Sequence, residues 1–271
     1  NTLMAAVEYE FSPDYITQES EESKPLTDEE KETLDKMCEA VGADRAMTIA
    51  HECKVRFVRG YAFEKKNGKW LQVATAEFEK LLQWRKEVDA DTLLTRELPK
   101  SDLFMKAWPT CVAGVDRLGH PIIVERFADW DLDSLIKDFN DQDLTLLQAR
   151  NLERVQAIKA KITEKTGRLT YKHCYVLDLN GLSSKLYSAK DQAKAIFHVA
   201  QYYYPETLYK MFLLNSPFLF RAIWKVASPM VHPITRDKMK ILGGSYLDEL
   251  KTHGIEADQL PPSIKGGTWK A

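Results

Sequence analysis

Apolar residues recur at helical spacing over the first third of the chain. A capping box at Thr27-Asp28-Glu29-Glu30 begins a helix that should end near Gly42. Asp44 can cap a second helix that carries apolar residues as far as Val58, and Asn67-Gly68 marks the turn before a third. The third helix places five apolar residues on one face: Leu71, Ala74, Phe78, Leu81 and Trp84. This pattern predicts a small all-helical unit.

Beyond Pro99 the helical period gives way to short apolar runs bounded by turn residues, which predict strands. The predicted strands are Thr110–Val115, Pro121–Phe127, His173–Leu179, Met211–Asn215 and Met239–Leu242. A tight turn at residues 116–119 joins the first two, which are therefore antiparallel. Long helices at residues 141–165 and 189–203 separate later strands, and such crossovers imply a mainly parallel sheet. The predicted fold class is α/β.

These changes in pattern divide the chain into three parts. Residues 1–24 are acidic and irregular and are expected to form a tail or linker, although Tyr9 and Phe11 can hold part of it against the rest. Residues 25–98 form the helical unit, and residues 99–271 form the α/β domain.

The segment from Asn215 to Lys238 predicts a helix that is apolar around most of its circumference. Ser216 can cap it, Pro217 suits its first position, and a narrow polar stripe is its only hydrophilic side. The helix must bury two faces, yet it is too short to cross a bilayer. It is either a core helix or a lid between an apolar cavity and a membrane.

The composition argues against several classes of binding partner. The 271 residues include 38 Lys and Arg against 40 Asp and Glu, so no global positive field attracts nucleic acid, and membrane contact must depend on local apolar surface. Four scattered cysteines without a C-x-x-C pair indicate reduced thiols and a cytoplasmic protein.

Motifs for catalysis and metal binding are missing from the sequence. Leu247 stands where a nucleophile elbow requires its last glycine, no phosphate-binding glycine loop occurs, and the six histidines lack metal-ligand spacing. We therefore expect no enzyme activity and no metal site. His173 and Tyr175 lie on one face of a strand and can form either a polar cavity wall or ligands to haem iron.

Six motifs in a fixed order carry a resemblance to a known family. They are Gly114-Val115-Asp116 with Gly119-His120-Pro121, Leu177-Asp178-Leu179-Asn180-Gly181, Tyr203-Tyr204-Pro205-Glu206, Leu214-Asn215-Ser216-Pro217, Pro233-Ile234-Thr235-Arg236-Asp237-Lys238, and Leu260-Pro261 with Gly266-Gly267. Over residues 28–269 the chain resembles the CRAL-TRIO lipid-binding proteins, which include the phosphatidylinositol-transfer proteins. The resemblance implies a helical tripod followed by a sheet that floors an apolar lipid pocket.

The resemblance also implies roles for individual residues. Glu206, Thr235 and Lys238 match the positions that bind the inositol phosphate head group. Residues 218–231 match a mobile gate, whose gate and acyl-pocket residues here are Phe218, Phe220, Ile223, Trp224, Val226 and Met230. The expected ligand is a phospholipid of the phosphatidylinositol type, bound without any other cofactor by a monomer that contacts membranes transiently.

Several positions depart from the family pattern, among them His120, which replaces an arginine of the first hairpin. Tyr61 and Ala62 replace a basic pair, and His173, Tyr175 and Ala200 replace the small hydroxyl residues that serve choline. Phosphatidylcholine is therefore a doubtful second ligand. The alternatives are a carrier of another hydrophobic ligand, such as a sterol, tocopherol, retinoid or haem, and a lipid-regulated scaffold.

Overall fold

Five strands form one sheet, in sequence order, in a computed structural model that describes residues 8–218, Phe220, Trp224 and residues 233–270. The strands are β1 Cys111–Val115, β2 Pro121–Arg126, β3 His173–Asp178, β4 Leu208–Leu214 and β5 Met239–Ile241. β1 and β2 are antiparallel, and β2 to β5 are parallel. The predicted α/β class and all five predicted strands are confirmed, with β4 beginning three residues earlier than predicted.

Alternation along the strands separates the two faces of the sheet. Ile122, Val124 and Val176 pack on one face against the C-terminal residues Tyr246 and Leu250. The other face carries the intervening residues of the same strands, and part of it packs against a long helix: Val112, Val115 and Ile123 against Val155, Ile158 and Ile162. Parallel strands that follow one another in sequence order are joined by right-handed crossovers. These put the connecting helices on one face of the sheet, here the second face.

Some of the described helices form the N-terminal unit, and the others pack around the sheet. The described helices are α1 Asp28–Val41, α2 Ala43–Met47, α3 His51–Gly60, α4 Trp70–Glu87, α5 Ser101–Ala107, α6 Leu132–Asp138, α7 Asp141–Thr166, α8 Lys185–Ser188, α9 Lys190–Tyr203, α10 Pro233–Asp237 and α11 Leu247–Thr252. The predicted capping box of Thr27 and Glu30 is formed at the start of α1. Gly167 ends α7 in the left-handed conformation, with φ of 67°.

The predicted second helix is divided into α2 and α3, and this prediction was wrong in two respects. Gly42, not Asp44, occupies the position before α2, and the helix is interrupted between Met47 and His51. The Thr48 hydroxyl donates to the carbonyl of Arg45 at 2.8 Å. Such a local hydrogen bond competes with helix continuation, which explains the break before His51.

The helical unit and the α/β layer share an apolar core. Phe57 of α3 and Phe78 of α4 meet with ring centroids 5.2 Å apart inside the unit. Trp84 of α4 stacks on Tyr203 of α9 at 4.0 Å, which joins the unit to the helices over the sheet. The division of the chain at residue 98 stays a prediction.

Residues 8–24, here called the strap, pack along the α/β layer, whereas the sequence predicted a tail or linker. The Tyr9 and Tyr15 hydroxyls donate to the carbonyls of Gly114 and Gly254 at 3.0 and 3.2 Å. Glu22 is 2% exposed. Its buried carboxylate fastens the end of the strap, as described below.

Candidate ligand-binding site

A cavity of about 640 Å³ lies between the helix-covered face of the sheet, the end of α3, and helices α7, α9 and α10. This volume is within the range of pockets that bind small organic ligands. Apolar side chains from the sheet, α7 and α9 form much of its wall: Ile123, Leu152, Val155, Ile196, Phe197 and Met211. The remaining wall carries two separate groups of polar side chains.

The first group, here called the entrance cluster, consists of Glu206, Thr235, Lys238 and Lys172. Glu206, Thr235 and Lys238, the predicted head-group residues, all line the cavity. The Lys238 ammonium lies 3.1 Å from Glu206 Oε2, and the Lys172 ammonium lies 2.8 Å from Glu206 Oε1. One carboxylate therefore bridges two cations, and Thr235 lines the same cavity.

Chain geometry explains how these residues meet. Glu206 has φ of 56°, so the chain turns sharply between α9 and β4 and directs the residue back to the cavity. Thr235 lies on α10, and the amide of Lys238 donates to its carbonyl at 3.1 Å in the turn that leads into β5. Two connections to the sheet thus bring the Glu206 carboxylate and the Lys238 ammonium into contact and place Thr235 on the same cavity wall.

Sequence reasoning missed Lys172. It directly precedes β3, and alternation from His173 and Tyr175 places it away from the cavity. The register irregularity at this point lies on β4, where His173 pairs with Leu208 and Cys174 with Lys210, so the alternation along β3 continues. Lys172 accordingly reaches Glu206 from behind the cavity wall.

The charges in the entrance cluster reinforce one another. Burial opposes ionisation of Glu206, but Lys172 and Lys238 outweigh it and lower the pKa of the Glu206 carboxyl. Burial likewise opposes the charge on Lys172, and the nearby Glu206 raises the pKa of the Lys172 ammonium. Glu206 and Lys172 are therefore both charged at neutral pH.

The helical unit supports this cluster from the side. Arg56, which is 2% exposed, donates to the carbonyl of Pro205 at 3.2 Å. A β-carbon on Gly60 would lie 3.2 Å from Cβ of Glu206, so the end of α3 passes very close to the carboxylate-bearing residue. Tyr61 then lines the cavity, at a position where the resemblance implies a basic residue.

The second group, here called the floor cluster, consists of Thr110, Glu125 and Tyr175. The Thr110 hydroxyl donates to Glu125 Oε1 at 2.8 Å, and the Tyr175 hydroxyl donates to Glu125 Oε2 at 2.5 Å. Burial raises the pKa of Glu125 to about 7, although both hydroxyls oppose that shift. The sequence signal for this residue was a charged side chain inside the predicted strand Pro121–Phe127.

His173 and Tyr175 both line the cavity, as their spacing predicts, and so does Ala200. Burial lowers the pKa of His173 well below its ordinary value, which keeps the imidazole neutral. Its Nδ1 atom has no hydrogen-bond partner among the described residues. The wall therefore contains a neutral imidazole with a free nitrogen beside a phenol.

The predicted gate falls partly within the described residues. Phe218 is 87% exposed, and Phe220 packs against the cluster of Leu177, Leu179 and Leu213. Phe220 and Trp224 are stacked with ring centroids 6.3 Å apart. Ile223, Val226 and Met230 lie outside the described residues, so the gate stays a prediction.

A third polar group lies beneath the opposite face of the sheet and outside the cavity. His120 Nδ1 lies 2.8 Å from Asp116 Oδ2, and the Cys174 thiol donates to the same oxygen at 3.4 Å. Burial disfavours the imidazolium, but Asp116 and Glu22 raise the pKa of His120 to about 9. Asp116, His120 and Cys174 are of the types that bind metal ions, and here they are hydrogen-bonded to one another. The predicted lack of a metal site stays a prediction.

Comparison with known proteins gives consistent matches. The model of the CRAL/TRIO domain matches residues 105–266. A SEC14 cytosolic factor from Candida glabrata is 28% identical over 215 residues, which cover 78% of this chain and 69% of that protein. The phosphatidylinositol/phosphatidylcholine transfer protein SFH4 from Arabidopsis thaliana is 30% identical over 203 residues, covering 69% of this chain.

The lengths of the matched regions differ among relatives. The aligned region is 31% of SFH4 and 37% of SFH7, another phosphatidylinositol/phosphatidylcholine transfer protein from Arabidopsis thaliana that is 27% identical. The crystal structure of Sfh5 superimposes with a TM-score of 0.59 at 17% identity, covering 90% of this chain and 95% of that one, which supports the fold. None of the described helices has the length and apolar character needed to span a membrane.

Proposed function

Because this chain belongs to the CRAL/TRIO domain family, we propose that it binds one lipid molecule in the cavity and exchanges it at membrane surfaces without covalent chemistry. The observation that carries the proposal is the combination of an apolar cavity with the entrance cluster at its wall. An amphiphile with an anionic head and hydrocarbon chains matches both parts.

The apolar wall supplies the affinity for hydrocarbon. Each CH₂ group that leaves water for such a wall contributes about 0.8 kcal/mol, so an acyl chain gains many times that value. A ligand enclosed this deeply needs an opening to enter and leave. We assign that role to residues 218–231, in which the exposed Phe218 ring is available to insert at a membrane interface.

The entrance cluster selects the head group. Lys238 and Thr235 offer an ammonium and a hydroxyl to a phosphate, and Glu206 can accept hydrogen bonds from inositol hydroxyls. The names of the Arabidopsis relatives mention both phosphatidylinositol and phosphatidylcholine. We favour phosphatidylinositol, because bulky His173 and Tyr175 occupy the positions of small hydroxyl residues.

We further propose a cytoplasmic monomer that acts as a peripheral membrane protein. All four cysteines are free thiols, which fits a reducing compartment. The phospholipid is the ligand in this proposal, and the mechanism uses no catalytic residue, nucleic acid or separate cofactor.

Transfer of phosphatidylinositol between vesicles tests the head-group assignment. Lys238→Ala should lower the transfer rate by roughly tenfold or more, because it removes a charge-assisted contact to phosphate. Lys240→Ala, on β5 two residues away, removes the same charge and should leave transfer unchanged. Equal transfer rates for the two folded variants would contradict the assignment.

Haem is a second candidate ligand, favoured by the neutral His173 imidazole and the Tyr175 phenol on the same cavity wall. Protein purified from its native cells should then show a Soret absorption band that His173→Ala weakens. Native mass spectrometry of the same sample separates haem, sterols, tocopherol and retinoids from phospholipids by mass. Protein that takes up none of these from a cell extract would favour a scaffold role.

A further inference from the structure

The entrance cluster contains one more positive charge than the predicted head-group residues supply. Glu206 and Lys238 alone form a neutral pair, with their closest atoms 3.1 Å apart. Lys172 contacts the other carboxylate oxygen at 2.8 Å. The three side chains in direct contact therefore carry a net charge of about +1 at neutral pH.

This third charge changes what Lys238 can do. A lysine paired only with a carboxylate has little attraction left for a phosphate, because the carboxylate repels the incoming anion. A carboxylate shared between two ammonium groups repels it much less. A phosphodiester, which carries one negative charge, would complete the neutralisation of the cluster.

The backbone of Lys172 is fixed by the strap. Glu22 Oε1 accepts hydrogen bonds from the amides of Tyr171 at 2.7 Å and Lys172 at 2.9 Å. The other oxygen of Glu22 lies 3.4 Å from His120 Nε2, so the protonated His120 balances its charge. Lys172 is thus held in place behind the cavity wall and does not depend on the ligand for its position.

From these contacts we infer that Lys172 is a positioning residue that gives the site its preference for an anionic head group. It acts through Glu206, by neutralising one carboxylate oxygen so that the Lys238 charge remains available to phosphate. The inference rests on the proposed function, because it concerns the same cavity and the same class of ligand. It makes Lys172, which does not line the cavity, a determinant of head-group selectivity.

The experiment compares lipid uptake from phosphatidylcholine vesicles with and without phosphatidylglycerol, an anionic lipid that lacks inositol hydroxyls. Lys172→Met should lower the preference for the anionic lipid by about tenfold, because the cluster becomes neutral. Lys172→Arg should retain the preference. Lys210→Met, on the adjacent strand β4, removes the same charge and should have no effect.

A double variant separates charge from packing. Lys172→Met with Glu206→Gln returns the cluster to a net charge of about +1 and should regain most of the preference. A double variant that stays unselective would overturn the inference, since loss of packing would then explain the single variant. If folded Lys172→Met keeps the full preference for the anionic lipid, the inference about Lys172 is wrong, and the proposed function is unaffected. Wild-type protein without any preference for anionic phospholipid over phosphatidylcholine would overturn the head-group assignment as well, whereas uptake of no phospholipid at all would overturn the proposed function.

Discussion

Two carboxylates on one cavity wall have opposite electrostatic properties. Glu125 in the floor cluster is bonded by two hydroxyl groups, and burial raises its pKa to about 7. Glu206 in the entrance cluster is bonded by two ammonium groups, and its pKa is lowered. Both side chains are removed from most solvent, so the difference comes from their partners.

The contrast shows how one pocket can treat the two ends of an amphiphile differently. Hydroxyl partners satisfy hydrogen bonds without cancelling charge, and the floor cluster is close to neutral below pH 7. Ammonium partners keep Glu206 ionised across the physiological range. The cavity therefore offers a charged site at Glu206 and a titrating hydrogen-bond acceptor at Glu125.

Replacement of the floor carboxylate should have the largest effect on stability. Because the folded pKa of Glu125 lies above its unfolded value, its contribution to stability is full below about pH 4.5 and is lost as pH rises to about 7. Glu125→Gln cannot ionise, so above pH 7 it should be more stable than wild type by up to about 3 kcal/mol. Denaturant unfolding at a series of pH values measures this difference.

A surface substitution provides the control for that series. Glu164→Gln, on an exposed position of α7, should follow the wild-type curve at every pH. A wild-type pH dependence that persists unchanged in Glu125→Gln would show that another group causes it, and the contrast between the two carboxylates would lose its basis.

Replacement of the entrance carboxylate should have a smaller effect of opposite sign. The folded pKa of Glu206 is lowered, so its contribution is present above about pH 4.5 and is lost as pH falls below that value. Glu206→Gln leaves Lys172 and Lys238 without a counter-charge and should reduce the free energy of unfolding by about 1 kcal/mol at neutral pH. The same unfolding series in acid should show the variant converging on wild type, whereas a gap that widens in acid would refute this assignment.

Loss of a single hydroxyl should have the smallest effect. Thr110→Val removes one hydrogen bond that favours the ionised form of Glu125, so the midpoint of the pH dependence should move upward. The accompanying change in stability at neutral pH should be about 1 kcal/mol or less. In a Glu125→Gln background the same substitution should not alter the pH dependence, and a shift there would assign the effect to a different group.

Local patterns predicted the framework because they depend on neighbouring residues. The capping box at Thr27 and the apolar run at Pro121–Phe127 each specify an element through contacts within a few positions. The break between α2 and α3 escaped prediction, since a single hydroxyl of Thr48 competes with an otherwise continuous helical pattern.

The site could be predicted only in part, because its residues contact partners that are distant in the sequence. Glu206 and Lys238 were found through motifs, but Lys172 is recognisable only when its ammonium is seen against Glu206. Glu22 belongs to an acidic run that is typical of a solvated tail, and its partners lie about one hundred or more residues further on. Charge pairing across such separations leaves no periodic signal in one sequence.

The bond between Glu22 and the Lys172 amide has a consequence for biosynthesis. The two residues are 150 positions apart, so a ribosome that adds about 5–20 residues per second needs roughly 8–30 s to supply the partner after Glu22 is made. Until then the Oε1 atom of Glu22 lacks the two backbone amides that it binds in the folded protein. The strap therefore docks late in translation, and the nascent helical unit must remain soluble for that interval without it.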